Sequence, residues 1–146
     1  MKKKISIIGC GAIGSELAQH VDSNMGKNVT LLSLFDIRPE NAQIVKSKLS
    51  HNSPLIFTNF DEFIKSQSFQ DIELVVEAAS QNAITSYLNQ LILFKKDVLV
   101  MSVGAFANSD FFSEVIRNVE SNDTNIYVPS GAIAGIDAIK SVKNSI

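Results

Sequence analysis

Continuous apolar runs of strand length alternate along this chain with stretches that have helical patterns. The runs lie at residues 4–9, 29–36, 54–57, 72–78, 97–103 and 125–129. Strands that alternate apolar and polar residues keep one face in water, whereas continuously apolar strands are covered on both faces. The pattern therefore predicts about six strands of a mostly parallel sheet that is buried between helices.

Helix candidates fill the intervals between these runs. They span residues 12–25, 39–50, 60–66, 81–95 and 109–121, with a last one from about residue 131. Pro39 suits a first helical turn, Ser80 can cap the fourth helix, and Asn108 or Ser109 can cap the fifth. Crossovers between parallel strands are right-handed in almost every case. The predicted fold class is therefore α/β, a doubly wound sheet with helices on both faces.

Length and composition are those of one globular domain spanning residues 1–146. Of the 146 residues, 45% are hydrophobic and 19% are charged, with a formal net charge of -2. Without a basic field, nucleic acid is an unlikely partner. No run reaches the length of a signal-peptide core or a membrane span, and a lone cysteine forms no intrachain disulfide. We expect a cytoplasmic protein that binds neither nucleic acid nor a membrane and holds no metal.

The first apolar run leads into a glycine motif, GCGAIG, at residues 9–14. By itself this spacing is weak evidence for a dinucleotide site, because glycines are common wherever a strand turns sharply into a helix. Here the motif follows a strand directly, opens a helix, and is joined by an acidic residue, Asp36, at the end of the next strand. These three features together indicate a dinucleotide-binding loop, and the alternative is a purely structural tight turn.

Each glycine has a separate predicted role. Gly9 permits the tight turn, Gly11 lets a diphosphate approach the backbone, and Gly14 lets the helix pack close to the sheet. The diphosphate would face the free N–H groups at the start of the helix, around Ala12 and Ile13, where the helix dipole is positive.

The residues after the second strand bear on which dinucleotide binds. Asp36 would accept hydrogen bonds from the ribose hydroxyls of the adenosine half, which favours NAD. Arg38 could instead neutralise a 2'-phosphate, so the choice between NAD and NADP stays open. Cys10, inside the motif, is interpreted as a small filler rather than a nucleophile, because no basic partner lies nearby in sequence.

Three further strand ends are rich in alanine, serine and glycine, at residues 77–83, 102–108 and 129–135. Ligands of doubly wound sheets lie beyond the carboxyl ends of the strands. Small residues there would let a nicotinamide ring and its ribose lie against backbone. The alternative for any one loop is close packing of a short turn.

Three titratable residues have both a functional and a structural interpretation. Glu77 could orient a loop or bind a ribose, or it could be a strand-end acid that is solvated or paired with a lysine, which we favour. His20 and His51 are interpreted as ordinary surface or partly buried histidines, and neither is a convincing general acid.

Four stretches carry a resemblance to a known family: GCGAIG (9–14), VVEAASQNA (75–83), DVLVMSVGAF (97–106) and IYVPSGAIAGIDAIK (126–140). With them the chain resembles the amino-terminal half of the L-aspartate dehydrogenases. That family is similar in layout to homoserine dehydrogenase and dihydrodipicolinate reductase, in which a Rossmann domain precedes an α+β domain.

The resemblance implies oxidation of L-aspartate at C2 with NAD or NADP, giving iminoaspartate and then oxaloacetate and ammonia. It implies that a catalytic histidine and most substrate contacts come from a second domain that this sequence does not include, so no catalytic residue is predicted here. We expect dinucleotide binding without turnover by this chain alone, with a homo-oligomer possible. The alternative is a free-standing regulatory module that senses NAD(H). The candidate cofactor-binding residues are Gly9, Gly11, Ala12, Ile13, Gly14, Asp36, Arg38, Ala79, Ser80 and Ala132.

Overall fold

A computed structural model describes residues 2–129. The elements in chain order are β1 (Lys3–Ile8), α1 (Ala12–Asn24), β2 (Val29–Phe35), α2 (Pro39–Ser47), β3 (Leu55–Phe57), α3 (Phe60–Lys65), α4 (Gln67–Asp71), β4 (Leu74–Glu77), α5 (Gln81–Leu93), β5 (Asp97–Val100), a 3₁₀ helix (Val103–Ala107), α6 (Ser109–Asn122) and β6 (Ile126–Tyr127). The strands form one parallel sheet in the order β3-β2-β1-β4-β5-β6. The predicted α/β fold is confirmed.

This strand order reverses between β1 and β4. The chain moves from β1 outwards through β2 to β3, and then returns to the other side of β1 to continue through β4, β5 and β6. At such a reversal the connections leave in opposite directions, which opens a crevice at the carboxyl ends of the two central strands. The glycine motif that follows β1 lies at this point.

Separate apolar clusters cover the two faces of the sheet. On one face α1 and α2 contribute Ala18 and Val45, which are packed with Ile7 and Leu34 of the central strands. On the other face the later helices contribute a larger cluster that includes Phe63, Phe69, Leu88 and Val115. Within residues 2–129 no helix is long and apolar enough to cross a membrane.

Strand β2 contains one residue more than its partner β1. Ile5 pairs with Leu31, but the next residue, Ser6, pairs with Ser33. Since side chains alternate along a strand, this bulge lets Leu31 and Leu34, three apart, reach the same apolar cluster. The buried hydroxyls beside the bulge satisfy each other: Ser33 Oγ donates to Ser6 Oγ at 2.9 Å, and Ser6 Oγ donates to the carbonyl of Ser33 at 3.1 Å.

Two predicted element boundaries are wrong. The helix predicted at 60–66 ends at Lys65, and a second short helix that was not predicted, α4, follows it. Ser66 between them is extended (φ -71°, ψ 152°), and its hydroxyl caps α4 by accepting from the N–H of Phe69 at 3.1 Å. The strand predicted at 97–103 ends at Val100, and the small-residue loop after it contains the 3₁₀ helix. The helix predicted from about residue 131 lies outside the described residues.

The predicted helix starts are confirmed. Pro39 occupies the first turn of α2 after Arg38, and the side chain of Ser80 accepts from the N–H of Ala83 at 3.1 Å at the start of α5. Asn108 rather than Ser109 caps α6, since its side-chain oxygen accepts from the N–H of Phe111 at 3.0 Å.

A buried aspartate, Asp22, holds the loop at the amino end of β3 against α1. Asp22 of α1 is 4% exposed and accepts from the N–H groups of Ser50 at 2.7 Å, His51 at 3.1 Å and Asn52 at 2.6 Å, in the loop before β3. Burial by itself would raise the pKa of Asp22, but these hydrogen bonds outweigh it and hold the pKa below its ordinary value. The His51 ring nitrogen Nδ1 lies 3.4 Å from the same carboxylate.

Candidate dinucleotide-binding site

A cleft of about 480 Å³ opens at the carboxyl ends of β1, β2 and β4. It brings together six of the predicted cofactor-binding residues: Gly9, Gly11, Asp36, Arg38, Ala79 and Ser80. The rest of its lining is mostly apolar: Ile8, Phe35, Ile37, Ala78, Asn82, Ala83, Ser86 and Tyr87. A concave, largely apolar cleft with a few polar groups is typical of a small-molecule site.

Gly9 and Gly14 are required by the packing of the loop itself. Gly9 has φ +93°, and a Cβ there would lie 2.6 Å from the Cα of Ala79. A Cβ at Gly14 would overlap the carbonyl oxygen of Gly9. The tight turn predicted at Gly9 and the close helix packing predicted at Gly14 are both observed.

Gly11 differs from them, because a Cβ at this position would have nothing within 4 Å. It is the N-cap residue of α1, without a side-chain cap and without an acidic residue in the first turn that follows. The first N–H groups of a helix have no helical partner and favour an anion. The open space over Gly11, which a side chain would fill, therefore fits a diphosphate.

Asp36 ties the end of β2 to the glycine loop. Its Oδ2 accepts from the N–H of Cys10 at 2.8 Å, and its Oδ1 accepts from the N–H of Arg38 at 2.9 Å. The side chain lines the cleft although the residue is only 8% exposed. Since two carboxylate oxygens offer about four lone-pair sites, the group retains capacity to accept from ribose hydroxyls.

Arg38 lies exposed at the mouth of the cleft. Its Nε and one terminal nitrogen lie 3.1 and 3.0 Å from the side-chain amide of Asn41, and donate to the amide oxygen when that group is turned with its oxygen towards Arg38. This contact holds the guanidinium beside α2, on the same side of the glycine loop as Asp36. The arrangement is compatible with either a ribose hydroxyl or a 2'-phosphate in the cleft.

Cys10 is an inert thiol in this structure. Burial, together with the neighbouring charge of Asp36, raises the pKa of Cys10 to about 12. A nucleophilic cysteine needs a thiolate near neutral pH. Its interpretation as a small filler is supported.

Sequence reasoning missed part of one wall of the cleft. The first two turns of α5 contribute Asn82 and Ala83, which belong to the predicted loop at residues 77–83, and also Ser86 and Tyr87, which were not predicted. The ring of Tyr87 is fixed by stacking on Phe60, with centroids 4.1 Å apart. The spacing of three to five residues between the two pairs, on a helix capped by Ser80, is the signal that could have identified this face.

Three of the predicted residues that the structure describes do not line the cleft. Ala12 lies in a neighbouring groove between α1 and α2, Ile13 is 55% exposed at the start of α1, and Gly14 is buried beneath the loop. Ala132 lies outside the described residues. Their contacts with a cofactor stay predictions, as do those of the six residues in the cleft.

For Glu77 the favoured interpretation, a solvated or lysine-paired acid, is wrong. The residue is 1% exposed, and its carboxylate accepts from the N–H of Ala79 at 2.8 Å and from the N–H and hydroxyl of Ser102 at 3.0 and 2.7 Å. It orients two loops. His20 is exposed on α1 and His51 contacts Asp22 at the opposite end of the strands, so neither histidine lines the cleft.

A family model described as the NAD-binding domain of homoserine dehydrogenase matches residues 9–129. The chain belongs to this family. Membership places the glycine motif, the cleft and the strand that follows α6 within one dehydrogenase cofactor domain. The prediction of NAD or NADP as the cofactor is confirmed.

Relatives of the domain agree with the resemblance found in the sequence. The chain is 38% identical over 139 residues to the L-aspartate dehydrogenase of Methanococcus maripaludis, which covers 94% of this chain and 49% of the relative. It is 37% identical over 144 residues to that of Nitrosopumilus maritimus, covering 99% and 51%. The predicted resemblance to the L-aspartate dehydrogenase cofactor domain is confirmed.

The fold also matches solved structures. The crystal structure of aspartate dehydrogenase from Thermotoga maritima has a TM-score of 0.70 at 22% identity, covering 99% of this chain and 52% of that one. This likeness shows the fold. The chain thus spans about half the length of the relatives that it matches.

Proposed function

We propose that this chain is the cofactor-binding domain of an NAD(P)-dependent L-aspartate dehydrogenase. In the proposed reaction L-aspartate would lose a hydride from C2 to NAD(P)+ and a proton from its amino group, and water would hydrolyse the resulting imine to oxaloacetate and ammonia. The proposal is supported chiefly by identity of 38% to an L-aspartate dehydrogenase across 94% of this chain. A second, α+β domain would supply the catalytic histidine and the substrate contacts.

In this proposal the residues of the chain bind and orient the dinucleotide. The backbone around Gly11 and the first N–H groups of α1 hold the diphosphate, and Asp36 accepts from the adenosine ribose. The small residues Ala79 and Ser80 let the remainder of the cofactor lie close to backbone. Arg38, at the mouth of the cleft, would accommodate a 2'-phosphate.

Cofactor binding is tested by titrating the chain with NADH and following the nucleotide's fluorescence. The chain has two tyrosines and no tryptophan, so protein emission interferes little. Gly11→Val should weaken NADH binding by at least about 100-fold, which corresponds to about 2.7 kcal/mol, because the side chain occupies the diphosphate space. Its melting temperature should change little, since a Cβ there has nothing within 4 Å.

Gly26→Ala is the matched control for this variant. A Cβ at Gly26 would meet only the carbonyl oxygen of Asp22, at an ordinary 3.6 Å. The residue follows the carboxyl end of α1, and the glycine motif lies at the other end of this helix. It should leave NADH affinity unchanged. Equal affinities of wild type and Gly11→Val would contradict the assigned loop, and absence of binding by the wild type at millimolar NADH would overturn the proposal.

We further propose that the chain alone binds the cofactor without turning over L-aspartate. An assay of NAD and NADP reduction with L-aspartate tests this directly. We expect no reduction above background by a preparation that binds NADH. Turnover by the isolated chain would show that it contains the catalytic groups.

A further inference from the structure

Glu77 is the least exposed charged residue among those that the structure describes, and it does not line the cleft. Its Oε1 accepts from the N–H of Ala79 and the hydroxyl of Ser102, and its Oε2 accepts from the N–H of Ser102. Its own carbonyl accepts from the N–H of Met101 at 3.0 Å. One residue thus fixes the chain where it leaves two neighbouring strands.

The loops that Glu77 joins touch at a second point. Gly104, in the 3₁₀ helix after β5, packs against the side chain of Gln81 at the start of α5, and a Cβ at Gly104 would overlap the amide nitrogen of that glutamine. Residues 78–80 line the cleft, so Glu77 links the loop of Ser102 to the cleft wall.

The strand order indicates which part of a dinucleotide these loops would face. Asp36 follows β2, on one side of β1, whereas β4 and β5 lie on the other side. A dinucleotide with its diphosphate at the glycine loop spans the crevice between the two sides. With the adenosine ribose at Asp36, the other half of the cofactor extends over the ends of β4 and β5.

We propose that Glu77 is a positioning residue for the nicotinamide half of the cofactor, acting through the backbone of residues 78–80 and 101–104. The inference rests on the proposed dinucleotide binding and adds a residue that sets the geometry of one half of the site. It does not require Glu77 to touch the cofactor.

The three donors that converge on Glu77 explain why a carboxylate is needed. A carboxylate only accepts, so both of its oxygens suit N–H groups. In Glu77→Gln one oxygen is replaced by an NH₂ group of similar size, which faces either the N–H of Ala79 or the N–H of Ser102. The variant therefore loses one loop contact without a change of volume.

The test compares two ligands on the full chain, NADH and ADP. ADP carries the adenosine ribose and the diphosphate but has no nicotinamide half. For Glu77→Gln we expect NADH affinity to fall about tenfold, equal to about 1.4 kcal/mol, and ADP affinity to stay within about twofold. Glu73 is an exposed acid directly before β4, and Glu73→Gln is the matched control. It should change the affinity for neither ligand.

Ser102→Ala provides a second route, since it removes only the hydroxyl donor. Ser102→Ala should weaken NADH binding about threefold and leave ADP binding unchanged. Because the two residues are in contact, the double variant should lose less NADH affinity than the product of the two single losses. If Glu77→Gln does not fold, the test is made with Ser102→Ala. An unchanged ratio of NADH affinity to ADP affinity in that variant overturns the proposal.

A purely structural role for Glu77 predicts a different result. Loss of folded protein would weaken NADH and ADP by the same factor, and that outcome overturns the positioning role. Unchanged affinities for both ligands overturn it as well. If the wild type binds neither ligand, the proposed function itself fails, which the same titration reveals before any variant is compared.

Discussion

A buried carboxylate lies at each end of the strands of the sheet, and the two have different roles. Asp22 at the amino end binds three consecutive N–H groups of residues 50–52, none of which lines the cleft. Glu77 at the carboxyl end binds donors of two loops, one of which forms the cleft wall. Burial and hydrogen bonding alone therefore do not identify a functional acid. Its position relative to the ends of parallel strands does.

Removal of Asp22 should give the largest effect, and on stability alone. Asp22→Ala leaves three partly buried N–H groups without their charged acceptor, so we expect the free energy of unfolding to fall by about 3 kcal/mol. Urea denaturation measures this loss, and NADH affinity of the folded variant should stay within about twofold. His51→Ala, which removes the exposed partner of Asp22, should cost little. A large loss of affinity in Asp22→Ala would break the contrast between the two ends.

The stabilisation by Asp22 should depend on pH. Its pKa is lower in the folded protein than in the unfolded chain, so the contribution is complete above the unfolded value of about 3.9 and is lost as pH falls through the folded pKa. The stability difference between wild type and Asp22→Ala should therefore be smaller at pH 3 than at pH 7, by roughly 1 kcal/mol. Denaturation at both pH values measures it, and a constant difference would contradict the assigned hydrogen bonds.

Two serine caps allow a smaller, matched comparison. Ser80→Ala and Ser66→Ala each remove a hydroxyl that caps a helix, and each should cost about 0.8 kcal/mol of stability. Only Ser80 lines the cleft, so only Ser80→Ala should also weaken NADH, by about threefold. Thermal melts measure the stability of both variants, and titrations measure their NADH affinity. Equal losses of NADH affinity would contradict binding of NADH in the cleft.

The smallest predicted effect concerns the choice of cofactor. Arg38→Ala should weaken NADPH about threefold, because an exposed cation contributes modestly to binding a phosphate, and should leave NADH unchanged. Lys48→Ala removes an equal charge from the end of α2 and serves as the control. A similar loss in both variants would indicate a diffuse charge effect rather than contact with Arg38.

The glycine loop and Asp36 could be predicted because their constraints are local. A strand, a motif of six residues and an acid at the next strand end are all visible in sequence, and the doubly wound parallel sheet follows from the alternation of elements, although the order of its strands does not. The geometry at Gly9 and Gly14 then agrees closely with the roles that the spacing implies.

The contacts of Glu77 and the orientation of Tyr87 could not be predicted in the same way. The partner of Glu77, Ser102, is 25 residues away, and only the pairing of β4 with β5 brings them together. The orientation of Tyr87 depends on aromatic contacts with α3. The break at Ser66 likewise reflects a hydroxyl that prefers to cap a new helix rather than continue the old one.

The extra residue in β2 has a consequence for redesign of this domain. A one-residue slip in a strand exchanges its two faces, so the bulge beside Ser33 also determines the face on which Asp36 emerges. Deleting the extra residue at position 32 would leave Ser33 to Phe35 paired with β1 as they are now, and Asp36 would keep its face. Deleting one residue between Ser33 and Phe35 would instead exchange the face of Asp36 and turn the acid away from the cleft.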